Sequence, residues 1–218
     1  MLLSGLPGLV RRTLAQPRIA GFEEVRGWLL PEQAVDLYWL ARSISRPGAV
    51  LVEIGSWKGR STVCLAKGLR HGQLFAIDPF DGSGEPGSRE IYAADQGRDS
   101  LHEDFLGVLD RFGVRDRVTV LKGRSEEFVS RFAAIDGLFI DGDHSIEGCA
   151  RDFNSYGPLV RPGGFVAFHD YDPAREDLGP TNVVHNLIPA SGRFESRKAA
   201  TGLWVGRRRA GKGSGGIY

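Results

Sequence analysis

Cysteine is scarce. Cys64 and Cys149 are the two in 218 residues, far apart and in no CxxC pair. That excludes a disulfide framework and fits a reduced, cytoplasmic setting. The chain also lacks an apolar run of the roughly 20 residues that a membrane span needs. Its apolar start, residues 1–10, is broken by Gly5, Pro7 and Gly8. Arg11 and Arg12 follow that stretch rather than precede it, the wrong order for a secretory signal. Nor is there an excess of charge of one sign: 28 Lys and Arg face 27 Asp and Glu, a net of +1. Nucleic-acid binding in bulk needs surplus cations to displace counterions, so a neutral total speaks against it. The glycine turn after the first predicted strand follows neither GxGxxG nor the Walker A pattern, which speaks against the dinucleotide oxidoreductases and the P-loop enzymes.

Glycine, by contrast, is abundant: 30 residues, about twice the usual share of roughly 7%. Without a strict period this is not collagen, and the glycines serve turns and close backbone approaches. The length suits one domain, residues 1–206, with an N-terminal extension (1–30) and a disordered tail (207–218) opening on Arg207-Arg208-Arg209. Helices are expected over 31–45, 61–69, 102–112, 125–133, 147–159 and 181–187 from apolar spacing, with Pro31 in a first turn and Ser125 as an N-cap. Short β-branched runs predict strands over 49–54, 72–77, 117–121, 138–140 and 165–168, and a terminal hairpin over 194–198 and 201–205. Residues 80–100 lack a clean period and form a candidate lid. Strand and helix alternate from 49 to 168, the pattern of an α/β protein with a parallel sheet.

Ligands of such sheets sit beyond the carboxyl ends of the strands. The first predicted strand ends Glu53-Ile54-Gly55-Ser56-Trp57-Lys58-Gly59-Arg60-Ser61. Its two glycines allow a sharp turn close to a ligand, although any strand–helix turn could use them. The second ends in Asp78, placed to bind ribose hydroxyls or to stand as a surface acid before Pro79. Ser125, after the third, either meets an adenine edge or caps a helix. The fourth ends FIDGDHSIEG and the fifth AFHDY. Adjacent strands lie about 5 Å apart, so Asp141, His169 and Asp170 can converge. They do so either around a divalent metal or as hydrogen-bonded strand caps.

VEIGSWKGRST, FAIDPF, FIDGDHSIEG and PGGFVAFHDY together resemble the class I S-adenosylmethionine-dependent O-methyltransferases. More narrowly they are similar to the small metal-dependent branch of macrocin-type and rhamnosyl sugar O-methyltransferases, over residues 28–205. The resemblance implies a Rossmann-like fold: a mostly parallel seven-stranded sheet, helices on both faces and a C-terminal antiparallel hairpin. It implies that Glu53, Gly55, Ser56, Gly59 and Ser61 line the methionine end of S-adenosylmethionine, with Asp141 beside them. Asp78 would bind the ribose and Ser125 the adenine. Asp141, His169 and Asp170 would hold a divalent metal, and His144 matches the branch's general base. His169 departs from the pattern, since relatives often carry an acid there. A nitrogen donor leaves Mn²⁺ open beside Mg²⁺. The expected acceptor is the hydroxyl of a small carbohydrate, a mannoside being the nearest suggestion. A catechol-like acceptor and a non-catalytic S-adenosylmethionine-binding module are the alternatives. A homodimer is expected, with no nucleic-acid partner and no membrane span. The acids at the strand ends should make that edge strongly acidic.

Overall fold

The computed structural model describes residues 7–83, 90, 100–200 and 202–210. Seven strands form one sheet: β1 (Val50–Ile54), β2 (Gln73–Asp78), β3 (Val118–Lys122), β4 (Ile135–Ile140), β5 (Val160–His169), β6 (Phe194–Ala200) and β7 (Leu203–Arg208). Their order is β3-β2-β1-β4-β5-β7-β6. β1 to β5 run parallel, and β7 lies antiparallel between β5 and β6. This is the sheet that the resemblance implied.

The central strands are apolar on both sides because helices cover both. Leu51, Phe139, Phe165 and Ala167 face one core with α1 (Gly8–Ile19), α2 (Pro31–Ile44), α3 (Arg60–Gly68) and α4 (Leu101–Arg111). Their neighbours Val52, Leu138, Val166 and Phe168 face the other, with α5 (Ile146–Tyr156), a π-turn (Val183–Leu187) and α7 (Ile188–Ser191). The short α6 (Gly179–Asn182) leads into that turn. The helices start where capping chemistry allows: α2 with Pro31 in its first turn, and α5 with the Ser145 hydroxyl accepting from the Gly148 N–H at 3.0 Å. None of the helices in the described residues is long and apolar enough to cross a membrane.

Three expectations need correction. Residues 125–133 are not a helix but two 3₁₀ turns, Ser125–Glu127 and Val129–Arg131. Competing bonds explain this: Glu127 accepts the Arg124 N–H at 2.6 Å, and the Tyr156 hydroxyl donates to the Ser125 carbonyl at 2.6 Å. Ser125 is therefore no N-cap; its hydroxyl donates to Asp152 instead. The tail does not begin at 207, because Arg207 and Arg208 complete β7, where Arg207 pairs with both Phe165 and Glu195. Residues 211–218 lie outside the described residues, as does most of the candidate lid. Phe80, where that segment begins, is buried against Phe105.

The strand order reverses between β1 and β4, so a crevice opens at their carboxyl ends. Residues 7–30 contribute to it. α1 buries Ala15 and Ile19 in the first core, and the chain then crosses the crevice before α2 begins.

Candidate active site

The turn after β1 approaches the end of β4 closely. The Asp141 N–H donates to the Ile54 carbonyl at 2.8 Å. A Cβ on Gly55 would lie 2.0 Å from the Asp141 carbonyl oxygen, and Gly55 has φ +83°, so glycine alone fits. Asp78 at the end of β2 fixes the rest of the turn. Its carboxylate accepts N–H groups from Ser56 (2.9 Å), Trp57 (2.8 Å) and Phe80 (2.6 Å). Burial raises the Asp78 carboxyl above its ordinary value, and these bonds oppose the rise. A carboxylate has about four lone-pair sites, so these three bonds leave Asp78 about one free acceptor site.

Glu53 is placed otherwise than the resemblance implied. It is fully buried on the α3 side of β1, away from the crevice. There it accepts hydroxyl hydrogens from Ser56 (3.1 Å), Ser61 (2.6 Å) and Thr62 (2.6 Å). Burial pushes its carboxyl up to about 7 against those three bonds. Gly59 likewise packs against Phe105 rather than lining the cavity. Glu53 thus braces the turn from beneath.

The other sequence-identified residues do come together around a cavity of about 610 Å³: Gly55, Ser56, Ser61, Asp78 and Ser125 on one part of its wall, and Asp141, His144, His169 and Asp170 on another. His169 is almost fully buried, and its Nδ1 lies 3.1 Å from Asp141 Oδ1 and 3.2 Å from Asp170 Oδ2. Neither contact is an aligned hydrogen bond, and each is an ion pair when the imidazole is protonated. Burial works against a charge on His169, but Asp141 and Asp170 outweigh it and push the imidazole up to about 10. Burial likewise opposes ionisation of Asp170, yet His144 and His169 hold its carboxyl far below the usual range. His144 Nε2 stands 3.1 Å from Asp170 Oδ2 and 3.7 Å from Asp141 Oδ1. Its loop is pinned by the Gly179 N–H, which donates to the His144 carbonyl at 2.8 Å.

These donors fit a divalent cation. Asp141, His144 and Asp170 offer ligand atoms within 4.8 Å of one another, and the misaligned buried Nδ1 of His169 faces the same two carboxylates. A mixed oxygen and nitrogen set suits Mn²⁺ at least as well as Mg²⁺. Asp170 also has φ +53°. A left-handed aspartate is backbone strain of the kind that gathers at functional sites.

Several residues that shape the site were missed in the sequence. Gln33 on α2 accepts the Leu30 N–H at 2.8 Å with the same Oε1 that lies 3.1 Å from His169 Nε2. That oxygen only accepts, so Nε2 carries the proton and Nδ1 is turned to the acids. Trp28, half exposed, stands 6.0 Å from Trp57 at the cavity wall. Asp152 on α5 is buried in the wall beside Ser125, and burial pushes its carboxyl up to about 6. The edge is also less acidic than expected, because Arg26, Arg60, Arg124 and Arg151 share the cavity. Tyr171 is turned away, its hydroxyl 3.3 Å from His185 Nε2.

Solved structures share this fold. The O-methyltransferase TomG of Streptomyces achromogenes, involved in tomaymycin synthesis and solved with S-adenosylmethionine, superposes with a TM-score of 0.60 at 20% identity, covering 96% of this chain and 93% of that one. An O-methyltransferase of Bacillus cereus, solved with S-adenosylhomocysteine, gives 0.60 at 18% identity, covering 95% and 94%. At such identities the likeness concerns the fold. An uncharacterised protein of Acanthamoeba polyphaga mimivirus is 26% identical over 149 residues, 68% of this chain. The match spans 63% of that relative, less than two thirds of its length. Residues 52–171, more than half of the chain and including the carboxyl ends of β1 to β5, match the family described as "Methyltransferase domain", and the chain belongs to that family.

Proposed function

We propose that the protein transfers a methyl group from S-adenosylmethionine to a hydroxyl of a small saccharide, with a divalent cation at Asp141, His169 and Asp170. The convergence of two carboxylates and two imidazoles beside the glycine turn carries this reading. A module that only bound the cofactor would need the turn and Asp78 but not that cluster.

In this reading Gly55, Ser56 and Ser61 hold the methionine end, Asp78 takes a ribose hydroxyl, and Ser125 meets the adenine. Asp141 borders both the cofactor and the acceptor. The acceptor oxygen forms the new C–O bond as the S–CH₃ bond breaks, and the electron pair stays on sulfur. The sulfonium needs no activation, but the alcohol is a weak acid. His144, steadied by Asp170, takes its proton. A bound divalent cation supplies Lewis-acid stabilisation of the alkoxide and fixes the acceptor. Trp28 and Trp57 offer apolar faces to a sugar ring. The same pair supports a second reading, a catechol-like acceptor, since tilted indoles suit an aromatic ring as well.

The test is product analysis with purified protein, S-adenosylmethionine and Mn²⁺ or Mg²⁺, over panels of saccharides and catechols. Methylated saccharide is the expected product. Methylated catechol alone would move the acceptor to the second reading. No S-adenosylhomocysteine with either panel, together with no binding of S-adenosylmethionine, would refute the activity.

A further inference from the structure

The reaction cavity adjoins a second, open cleft of about 290 Å³. The two share Arg26, Gly27, Trp28 and Arg60. Glu23 and Glu24 line the cleft but not the cavity. Both are exposed on a 3₁₀ turn (Phe22–Glu24), just ahead of the stretch that crosses the crevice. Glu24 stands 3.6 Å from Arg111 on α4. Arg60 fastens the crossing stretch: its Nη1 donates to the Gly27 carbonyl, and its guanidinium lies 5.4 Å from the centroid of the Phe22 ring. Gly27 has φ +150°, which L side chains rarely adopt, so the backbone bordering both spaces bears no side chain there. Trp28 follows it, half exposed and on both walls.

We infer that this cleft is a second saccharide subsite with Trp28 as the platform between it and the reaction cavity, so that the acceptor is an oligosaccharide rather than a single sugar. One ring presents its hydroxyl in the cavity, and the next crosses Trp28 into the cleft. A sugar ring has an apolar C–H face that lies on an indole. Its hydroxyls donate to carboxylates and accept from guanidinium groups, and the cleft offers both. Two carboxylates stand against two guanidinium groups on its wall, so a neutral polyhydroxylated ligand suits it better than an anion or a cation. The inference rests on the saccharide reading and deepens it, because it sets the length of the acceptor.

The experiment compares methyl transfer by the full chain to a saccharide that the panel assay finds methylated, offered as the methyl glycoside of its monosaccharide and as its disaccharide. The wild type should show kcat/KM at least about tenfold higher for the disaccharide, through KM, since hydrogen bonds to charged groups are worth that much. Glu23→Ala combined with Glu24→Ala should bring the two acceptors within about threefold of each other. It should leave the monosaccharide's kcat/KM unchanged, because neither residue lines the reaction cavity. Trp28→Ala is the independent variant, read as the same ratio, and should also erase the preference. A wild type that treats both lengths alike overturns the inference and leaves the saccharide reading standing. So does a length preference that both variants keep, since groups outside the cleft would then produce it. No methylated saccharide of either length overturns the inference and the saccharide reading together.

Discussion

Glu53 shows what one side chain's direction decides. It sits two residues before Gly55, where sequence alone gives it to the cofactor, but alternation along β1 turns it toward α3. Three hydroxyls compensate its burial incompletely, and its carboxyl rises from 4.5 to about 7. The folded state therefore holds a proton that the unfolded chain releases near its ordinary value. Stability from this group is complete below about pH 4.5 and is lost as pH rises through about 7. The shift corresponds to about 3 kcal/mol. Glu53→Gln should flatten that part of the profile. Chemical denaturation of both forms at several pH values, with chelator present, should show wild type losing about 3 kcal/mol more than the variant between about pH 5 and 8. Parallel profiles would mean that Glu53 is ionised throughout and fully compensated by its hydroxyls.

At the scale of elements, the strand ends were legible and the helices' inward faces were not. Asp78, Asp141, His169 and Asp170 could be read because strands end at one edge of a parallel sheet, so residues distant in sequence meet there. The 3₁₀ turns at 125–131 were misread as a helix because propensity does not register the Tyr156 hydroxyl or Asp152 arriving from α5. Asp152 left one signal, a carboxylate on the same helix face as Cys149, Phe153 and Tyr156. Gln33 left none, since its role depends on where α2 lands. The landing matters: α2 joins its own start at Leu30 to His169 through one carboxamide oxygen. Such outer hydrogen bonds orient metal-binding imidazoles and are worth about 10–100-fold in affinity. Gln33→Leu keeps the bulk and loses the acceptor. Titration with Mn²⁺, followed by the electron-spin resonance of the free ion, should show affinity falling at least about tenfold while the melting temperature moves little. Unchanged affinity would show that His169 is oriented without Gln33 or does not bind the ion.

For the whole molecule, a net charge of +1 conceals an uneven distribution. Carboxylates lining the cavity outnumber arginines six to four, and the arginines lie toward the Trp28 wall and the Ser125 wall. What stays concentrated is the group of Asp141 and Asp170 with two imidazoles against them. Both histidines face the same carboxylates, so proximity alone cannot divide their roles. Burial can: the His169 side chain is 5% exposed and tied to α2, whereas His144 is 17% exposed and sits on a loop at the cavity wall. A fixed, buried imidazole suits a metal ligand, and a more accessible one suits a group that must exchange its proton with solvent after each turnover. His169→Ala should therefore lose Mn²⁺ affinity by more than about tenfold. His144→Ala should keep affinity within a few-fold while kcat falls about 10²–10⁴-fold. Metal titration and saturation kinetics on the two variants separate these outcomes. If His144→Ala instead loses the ion and His169→Ala keeps it, the ligand set is Asp141, His144 and Asp170, and the proton must leave the acceptor by another route. If chelation and both substitutions leave turnover intact, the cluster is a set of strand caps and the reaction needs no metal.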